Sequence, residues 1–192
     1  MSVLKKWKVE ICERKEIKDF IETYHYSHSI NGLCSSYCFK LLDTDGVIKG
    51  AMIYGTFGMA SVWEKYADSK DKVIELRRLC CVDDTPKNTE SYFIGKTIKW
   101  LRDNTAIERI ISYADNEYGH TGTIYQASNF KKIGETAPSR VIIYQGKRYH
   151  DKTIRTKYKG KLKPFAQKVK DALENGEAYY KKQRLKISIL TI

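Results

Sequence analysis

The sequence predicts an α/β fold, a mixed central sheet flanked by helices with a basic C-terminal extension. Three observations carry this. Strand-like apolar runs alternate with segments of helical period. One run, Val73 to Val82 (VIELRRLCCV), has the mixed apolar character of a central strand covered on both faces. Positive charge is concentrated late in the chain. The 192 residues, 42% hydrophobic and 30% charged, suffice for one ordinary core, and only three prolines and twelve glycines argue against low complexity. No apolar run is long enough for a membrane helix, and the polar start (MSVLKKWKVEICERKE) does not read as a signal peptide. A soluble protein of the cytoplasm, with no membrane partner, is expected.

The elements follow in order. Ile17, Phe20, Ile21 and Tyr24 share one face of a helix over about Arg14 to Tyr24. Tyr37 to Asp43 and Val47 to Gly55 read as strands joined by Asp43-Thr44-Asp45-Gly46, whose Asp-Gly pair suits a tight hairpin turn. A loop containing Trp63 leads to the central strand. Asp83 to Glu90 collects helix-start residues before Phe93, Ile94, Thr97, Ile98 and Leu101, so a helix begins near Thr89. Arg109 to Ala114 is a short strand, His120 to Asn129 a short helix, and Lys131 to Thr136 and Arg140 to Gln145 two more strands. A last helix covers Pro164 to Asn175, closed by Gly176. The domain reading is a catalytic body over residues 1–146 with a basic extension over residues 147–192 packed on it. Five cysteines (12, 34, 38, 80 and 81) make no paired framework and read as reduced thiols, and the Cys34–Cys38 spacing is a weak zinc signal.

The charge is +12, from 35 Lys plus Arg against 23 Asp plus Glu. Residues 147–186 hold 14 basic and 4 acidic residues, and the remainder is nearly neutral. A neutral body with a basic, tyrosine-containing segment is the footprint of a polyanion binder, and Lys147, Arg148, Lys152, Arg155, Lys157, Lys159, Lys161 and Lys163 are the expected nucleic-acid contacts. A solvated surface is the plain alternative.

Two places could carry chemistry. The Asp83–Ser91 junction aims a helix's free amides outward, with Arg77, Arg78, Lys87, Asn88, Thr89 and Ser91 placed to hold a pyrophosphate, although two aspartates nearby would repel it. His25-Tyr26-Ser27-His28-Ser29 gathers imidazoles, a phenol and hydroxyls after the first helix, where His25 could equally serve as a helix end. Asp115 closes a central strand, where open α/β sheets present reactive groups, or it caps the next helix. His25, Asp115 and His120 together could form a two-histidine, one-carboxylate metal site.

The element order resembles the GNAT superfamily of N-acetyltransferases, in which two parallel strands splay around acyl coenzyme A. Here those strands are Val73 to Val82 and Arg109 to Ala114. The usual glycine-rich pyrophosphate turn is replaced by Asp84-Thr85-Pro86-Lys87-Asn88-Thr89-Glu90-Ser91. Four motifs over about Phe20 to Thr136 resemble the bacteriophage Mom family of DNA-modification proteins. They are Tyr24 to Ser29, Glu75-Leu76-Arg77-Arg78-Leu79, Ser112-Tyr113-Ala114-Asp115 with Gly119-His120, and Gly122 to Phe130 (GTIYQASNF).

The resemblance implies conversion of the N6 amine of adenine in double-stranded DNA to a carbamoylmethyl (acetamido) derivative, protecting DNA from host restriction in the host cytoplasm. It implies acetyl-CoA or another acyl-CoA as cofactor, with Arg78 and Ser91 near its contacts, and associates iron with His25 and Asp115. His25, Tyr26, Asp115 and Tyr125 fall on the family's functional positions. Asp115 would take the amine proton, Tyr26 protonate the leaving thiolate, His25 orient Tyr26 or bind metal, and Tyr125 contact cofactor or base. Tyr24, Tyr26, Tyr118 and Tyr125 could receive a flipped adenine. Two other readings stay open: an acetyltransferase of a protein or small-molecule amine, and a DNA-binding phage protein without catalysis.

Overall fold

The computed structural model describes residues 3–115 and 122–192. They form two compact units, residues 1–134 with 186–192, and residues 135–185. The sequence reading placed its boundary at 146/147; the compact units divide at 134/135 and 185/186. The reason is strand pairing. Residues 139–144 build a small sheet with later strands, and the last strand returns to the large one.

In the first unit, β1 (Lys8–Cys12), β2 (Tyr37–Leu42), β3 (Ile48–Gly55), β4 (Val73–Cys81), β5 (Arg109–Ala114), β6 (Lys131–Glu135) and β10 (Lys186–Thr191) make a seven-stranded sheet ordered β1-β2-β3-β4-β5-β10-β6. Its first four strands run antiparallel to their neighbours, and β4 and β5 are parallel. The β2–β3 turn forms as its Asp-Gly pair requires. Asp43 Oδ1 accepts the amides of Asp45 and Val47 at 3.0 and 2.9 Å, and Gly46 takes φ 80°. Sequence period alone did not reveal β1. Its KVEIC pattern is exposed along an edge and is held by the register Lys8↔Leu42 to Cys12↔Cys38.

Alternation along β3 divides the core. Ala51 and Ile53 face α1 (Arg14–Tyr24), packing with Ile17, Ile21 and Cys80. Met52 and Tyr54 face α2 (Thr89–Asn104), packing with Phe39, Ile74, Phe93, Ile94, Leu101 and Ile110. The buried Tyr54 hydroxyl is 2.8 Å from Thr97 Oγ1, tying α2 to the sheet. The short helix α3 (Thr123–Gln126) occupies part of the expected 120–129 segment; residues 120 and 121 lie outside the described residues. The Trp63 loop holds two single-turn helices, Val62–Lys65 and Lys70–Lys72.

The second unit is a three-stranded antiparallel sheet, β8-β7-β9, of β8 (Lys147–His150), β7 (Ser139–Tyr144) and β9 (Ala178–Gln183), with α4 (Pro164–Glu174) packed on one face. Val169 and Ala172 of α4 meet Ile142 and Ala178. The stretch read as a basic tail with one helix also contributes three strands, β8, β9 and β10. In β8 (KRYH) and β9 (AYYKKQ) basic residues and tyrosines stand without an apolar period of two, which hid those strands. Among the described residues no helix is long and apolar enough to cross a membrane.

Candidate active site

The parallel strands β4 and β5 pair only from Val73↔Arg109 to Leu76↔Ser112. Beyond that point β4 continues along β3 to Cys81, while β5 continues along β10 to Ala114. The strands part, and the inward-facing backbone groups of residues 77–79 and 113–114 lose each other as partners. A cavity of about 220 Å³ lies in the opening, lined by His25, Tyr26, Leu76 to Leu79, Tyr113, Ala114 and Gly122 to Tyr125.

Four segments bring these side chains together. His25 closes α1, its amide donating to Ile21 O at 3.0 Å, and it is buried. Its Nδ1 accepts the Ser27 amide at 3.1 Å, with Ser27 Oγ at 2.8 Å, so in the neutral ring the proton sits on Nε2. Its ring lies 4.2 Å from that of Tyr26, which is 38% exposed. The helix-end and pocket roles of His25 therefore coexist. Arg14 holds the following loop by donating to Leu33 O at 2.8 Å and to Ile30 O.

From β4, Arg78 donates through Nε to Ser29 O at 3.3 Å and through Nη1 to Arg77 O at 2.7 Å. Burial lowers its pKa, with the Tyr26 phenol acting the other way. Arg77 Nη1 donates to Thr56 O at 2.6 Å and lies 3.2 Å from Glu75 Oε2. Burial raises the Glu75 carboxyl to about 7, against the lowering pull of Arg77 and Arg78. Burial pushes the Tyr125 phenol up, opposed by the nearby Ser112 hydroxyl. Arg77 Nε is buried without a hydrogen bond among the described residues, leaving a polar atom at the strand divergence for a ligand.

Other expected residues fall elsewhere. Asp115 follows the cavity-lining Ala114 and is buried, but it does not itself line the cavity. Lys87, Asn88 and Thr89 stand at the start of α2, outside the lining. Thr89 is fully buried, and its hydroxyl donates to Pro86 O at 2.6 Å; the Ser91 hydroxyl donates to Asn88 O at 3.0 Å. Those two hydroxyls are committed within the turn, so at that helix start free amides and Lys87 remain for an anion. Asp84 is offset by Lys49 at 3.3 Å, which weakens the expected repulsion. Ser91 borders a separate cleft with Arg102, Ser128 and Asn129. Of the basic positions in the second unit, all but the half-buried Arg148 are exposed.

His120 and Tyr118 lie outside the described residues. Among the described residues no three of His, Cys, Asp and Glu gather to hold a metal, so iron has no donor set there. The cysteines are free thiols.

A model of the Mom protein family matches residues 6–185. The chain belongs to this family. Among Mom relatives, the methylcarbamoylase Mom of Escherichia phage Mu is 32% identical over 154 residues, covering 78% of this chain and 62% of that protein. The match thus spans less than two thirds of that relative's length. Among solved structures, the spermidine/spermine N-acetyltransferase SpeG from Vibrio cholerae matches with a TM-score of 0.54 at 9% identity, covering 99% of this chain and 95% of that one. AAC(6')-Ib in complex with acetyl-CoA matches with a TM-score of 0.51 at 12% identity, covering 68% and 85%. At such identities the likeness shows the fold, which is that of the GNAT acetyltransferases. The Mom motifs Tyr24 to Ser29, Glu75 to Leu79, and Gly122 to Phe130 all contribute to the cavity at the strand divergence. Sequence reasoning gave no role to Glu75 or Tyr113. A single carboxylate, Glu75, beside Arg77 and Arg78 in a central strand whose other residues are apolar was the signal available.

Proposed function

We propose that this protein is a phage-type DNA-modifying transferase acting on the N6 amine of adenine to give the carbamoylmethyl (acetamido) derivative, with an acyl-CoA as cofactor. The observation that carries the reading is the cavity at the β4–β5 divergence, where a Mom-family chain gathers His25, Tyr26, Arg77, Arg78 and Tyr125 from separate segments. The residues present fit coenzyme A. Strand edges released at residues 77–79 and 113–114 match a pantetheine arm's amides, the unpaired Arg77 Nε adds a polar contact, and the first turn of α2 with Lys87 suits a pyrophosphate. Coenzyme A, when bound, would supply an acyl group as an activated thioester; transfer of that group alone gives an N6-acyl adenine, and the carbamoylmethyl product needs in addition a nitrogen donor and attachment through carbon.

The protein's own groups address the amine, whose lone pair is delocalised into the ring and which is a poor nucleophile until its proton is removed. Asp115 takes that proton from a buried position. Tyr26, exposed toward the cavity with its ring tilted against that of His25, delivers a proton to the departing thiolate, and His25 holds Tyr26 through its ring contact. Arg77 and Arg78 stabilise developing negative charge. The +9 charge of residues 135–185, from 14 basic and 5 acidic residues, supports DNA as the substrate.

The test is mass spectrometry of nucleosides from plasmid DNA of cells expressing the intact protein, beside Asp115→Asn. A heavier deoxyadenosine seen with the intact protein and absent with Asp115→Asn is expected, and its mass names the group. Unchanged deoxyadenosine from folded protein overturns the reading in favour of an acetyltransferase of another amine. Full modification by Asp115→Asn removes Asp115 as the base.

A further inference from the structure

Charge is not the most specific feature of the second unit; its aromatic rings are. Tyr158, Tyr179, Phe165 and Tyr180 are 65, 60, 47 and 44% exposed. The unit's buried core, Ile142, Val169, Ala172 and Ala178, is complete without them. Two of these rings carry a cation. Arg140 Cζ lies 4.7 Å from the centre of the Tyr180 ring, and Lys159 Nζ lies 5.7 Å from that of Tyr158. The β7–β9 register sets Ile142 opposite Tyr180 and Arg140 opposite Lys182. Arg140, Tyr180 and Lys182 therefore share the sheet face that carries α4, at an end where all three are exposed. Phe165, at the start of α4, leans on Tyr149 of the same face at 5.2 Å, and Lys163 precedes it in an exposed position.

Large rings standing in water beside cations have a chemical counterpart. A surface built only for duplex phosphates needs cations and gains nothing from open rings, because duplex bases keep their faces in the stack. An unpaired strand offers both base faces and phosphates, and aromatic side chains bind it by stacking with little regard to sequence. We propose that the second unit binds single-stranded DNA, with Tyr180 and Tyr158 stacking on bases and Arg140, Lys159 and Lys182 holding the adjacent phosphates. The substrate is then a strand unpaired over several nucleotides, not a single base flipped from an intact duplex. This last clause rests on the adenine-modification reading above; the surface itself does not.

The experiment is fluorescence anisotropy of the full chain with one labelled mixed-sequence DNA oligonucleotide, as a single strand and annealed to its complement, at matched salt. The single strand is expected to bind about tenfold tighter or more. Tyr158→Ala with Tyr180→Ala should remove that preference while leaving duplex binding within about twofold, and Tyr158→Phe with Tyr180→Phe should keep it because a ring remains. Equal affinity for strand and duplex, or a retained preference in the double alanine variant, overturns the assignment. Nucleoside mass spectrometry separates the two readings. A strand preference without modified deoxyadenosine leaves the surface standing and fells the adenine reading. Undiminished modification of duplex plasmid by the double alanine variant overturns the unpaired strand as substrate.

Discussion

Glu75 shows how a single residue can set the behaviour of the whole cavity. Its carboxyl is buried beside Arg77 and titrates at about 7, so the charge near Arg77, Arg78 and Tyr125 changes around neutral pH. Because folding raises this pKa above its ordinary value, the stability Glu75 contributes is fully present below about pH 4.5 and is lost as pH rises through about 7. The difference amounts to roughly 3 kcal/mol. Glu75→Gln, neutral at every pH, should therefore show a smaller fall in Tm than the parent between mildly acidic and mildly basic buffer, as differential scanning fluorimetry would report. The same variant should flatten the pH profile of DNA modification near neutrality. A parallel pair of Tm curves would refute the assignment. Arg77→Ala leaves that carboxylate without its nearest counter-charge, and a cost of about 2 to 4 kcal/mol in urea unfolding is expected.

Among the elements, the end of β3 is the most constrained. A side-chain carbon on Gly55 would run into the carbonyl of Cys34 and press on Arg77 Cδ at 3.3 Å. Glycine is required because two backbones meet there, and the same contact seats Thr56, whose carbonyl holds Arg77. Gly55→Ala should lose about 2 kcal/mol or more in denaturant unfolding, together with most activity, since Arg77 and the part of β4 that borders the cavity shift. The β2–β3 turn is a milder case. Asp43→Ala removes a carboxylate accepting two amides and should cost about 1 kcal/mol while leaving activity intact. A variant of Asp43 with unchanged Tm would show that Gly46 alone sustains the turn.

Across the whole molecule, charge is divided unevenly between the two units. Of the net +12, residues 135–185 carry +9, and the larger unit is close to neutral. DNA affinity should fall steeply and linearly on a log–log plot against salt. Replacing Lys157, Lys159 and Lys161 together with alanine should reduce the magnitude of the duplex slope by about 3, at roughly 0.9 per phosphate contact. A slope unaltered by the triple variant would place the phosphates elsewhere. The cavity chemistry should survive those replacements, since the residues that line it belong to the other unit.

The sequence by itself determined the elements whose side chains face a core or make a turn. Helices α1 and α2, strands β3, β4 and β5, and the Asp-Gly hairpin are all written in local periodicity and turn chemistry. It also determined the family, through motifs long enough to be specific. Tertiary structure decided the rest, because strand pairing is non-local. β1 is an exposed edge, β9 runs two tyrosines into two lysines with no apolar period of two, and β10 returns from the far end of the chain to pair with β5. Only the tertiary fold could show that β4 and β5 stop pairing after Leu76, that His25 and Tyr125 line the same opening, and that Thr89 and Ser91 commit their hydroxyls to carbonyls of the turn before α2. Residue types and spacing name the candidates for a site; which of them face one another depends on where strands separate, and that is fixed by partners far away in the chain.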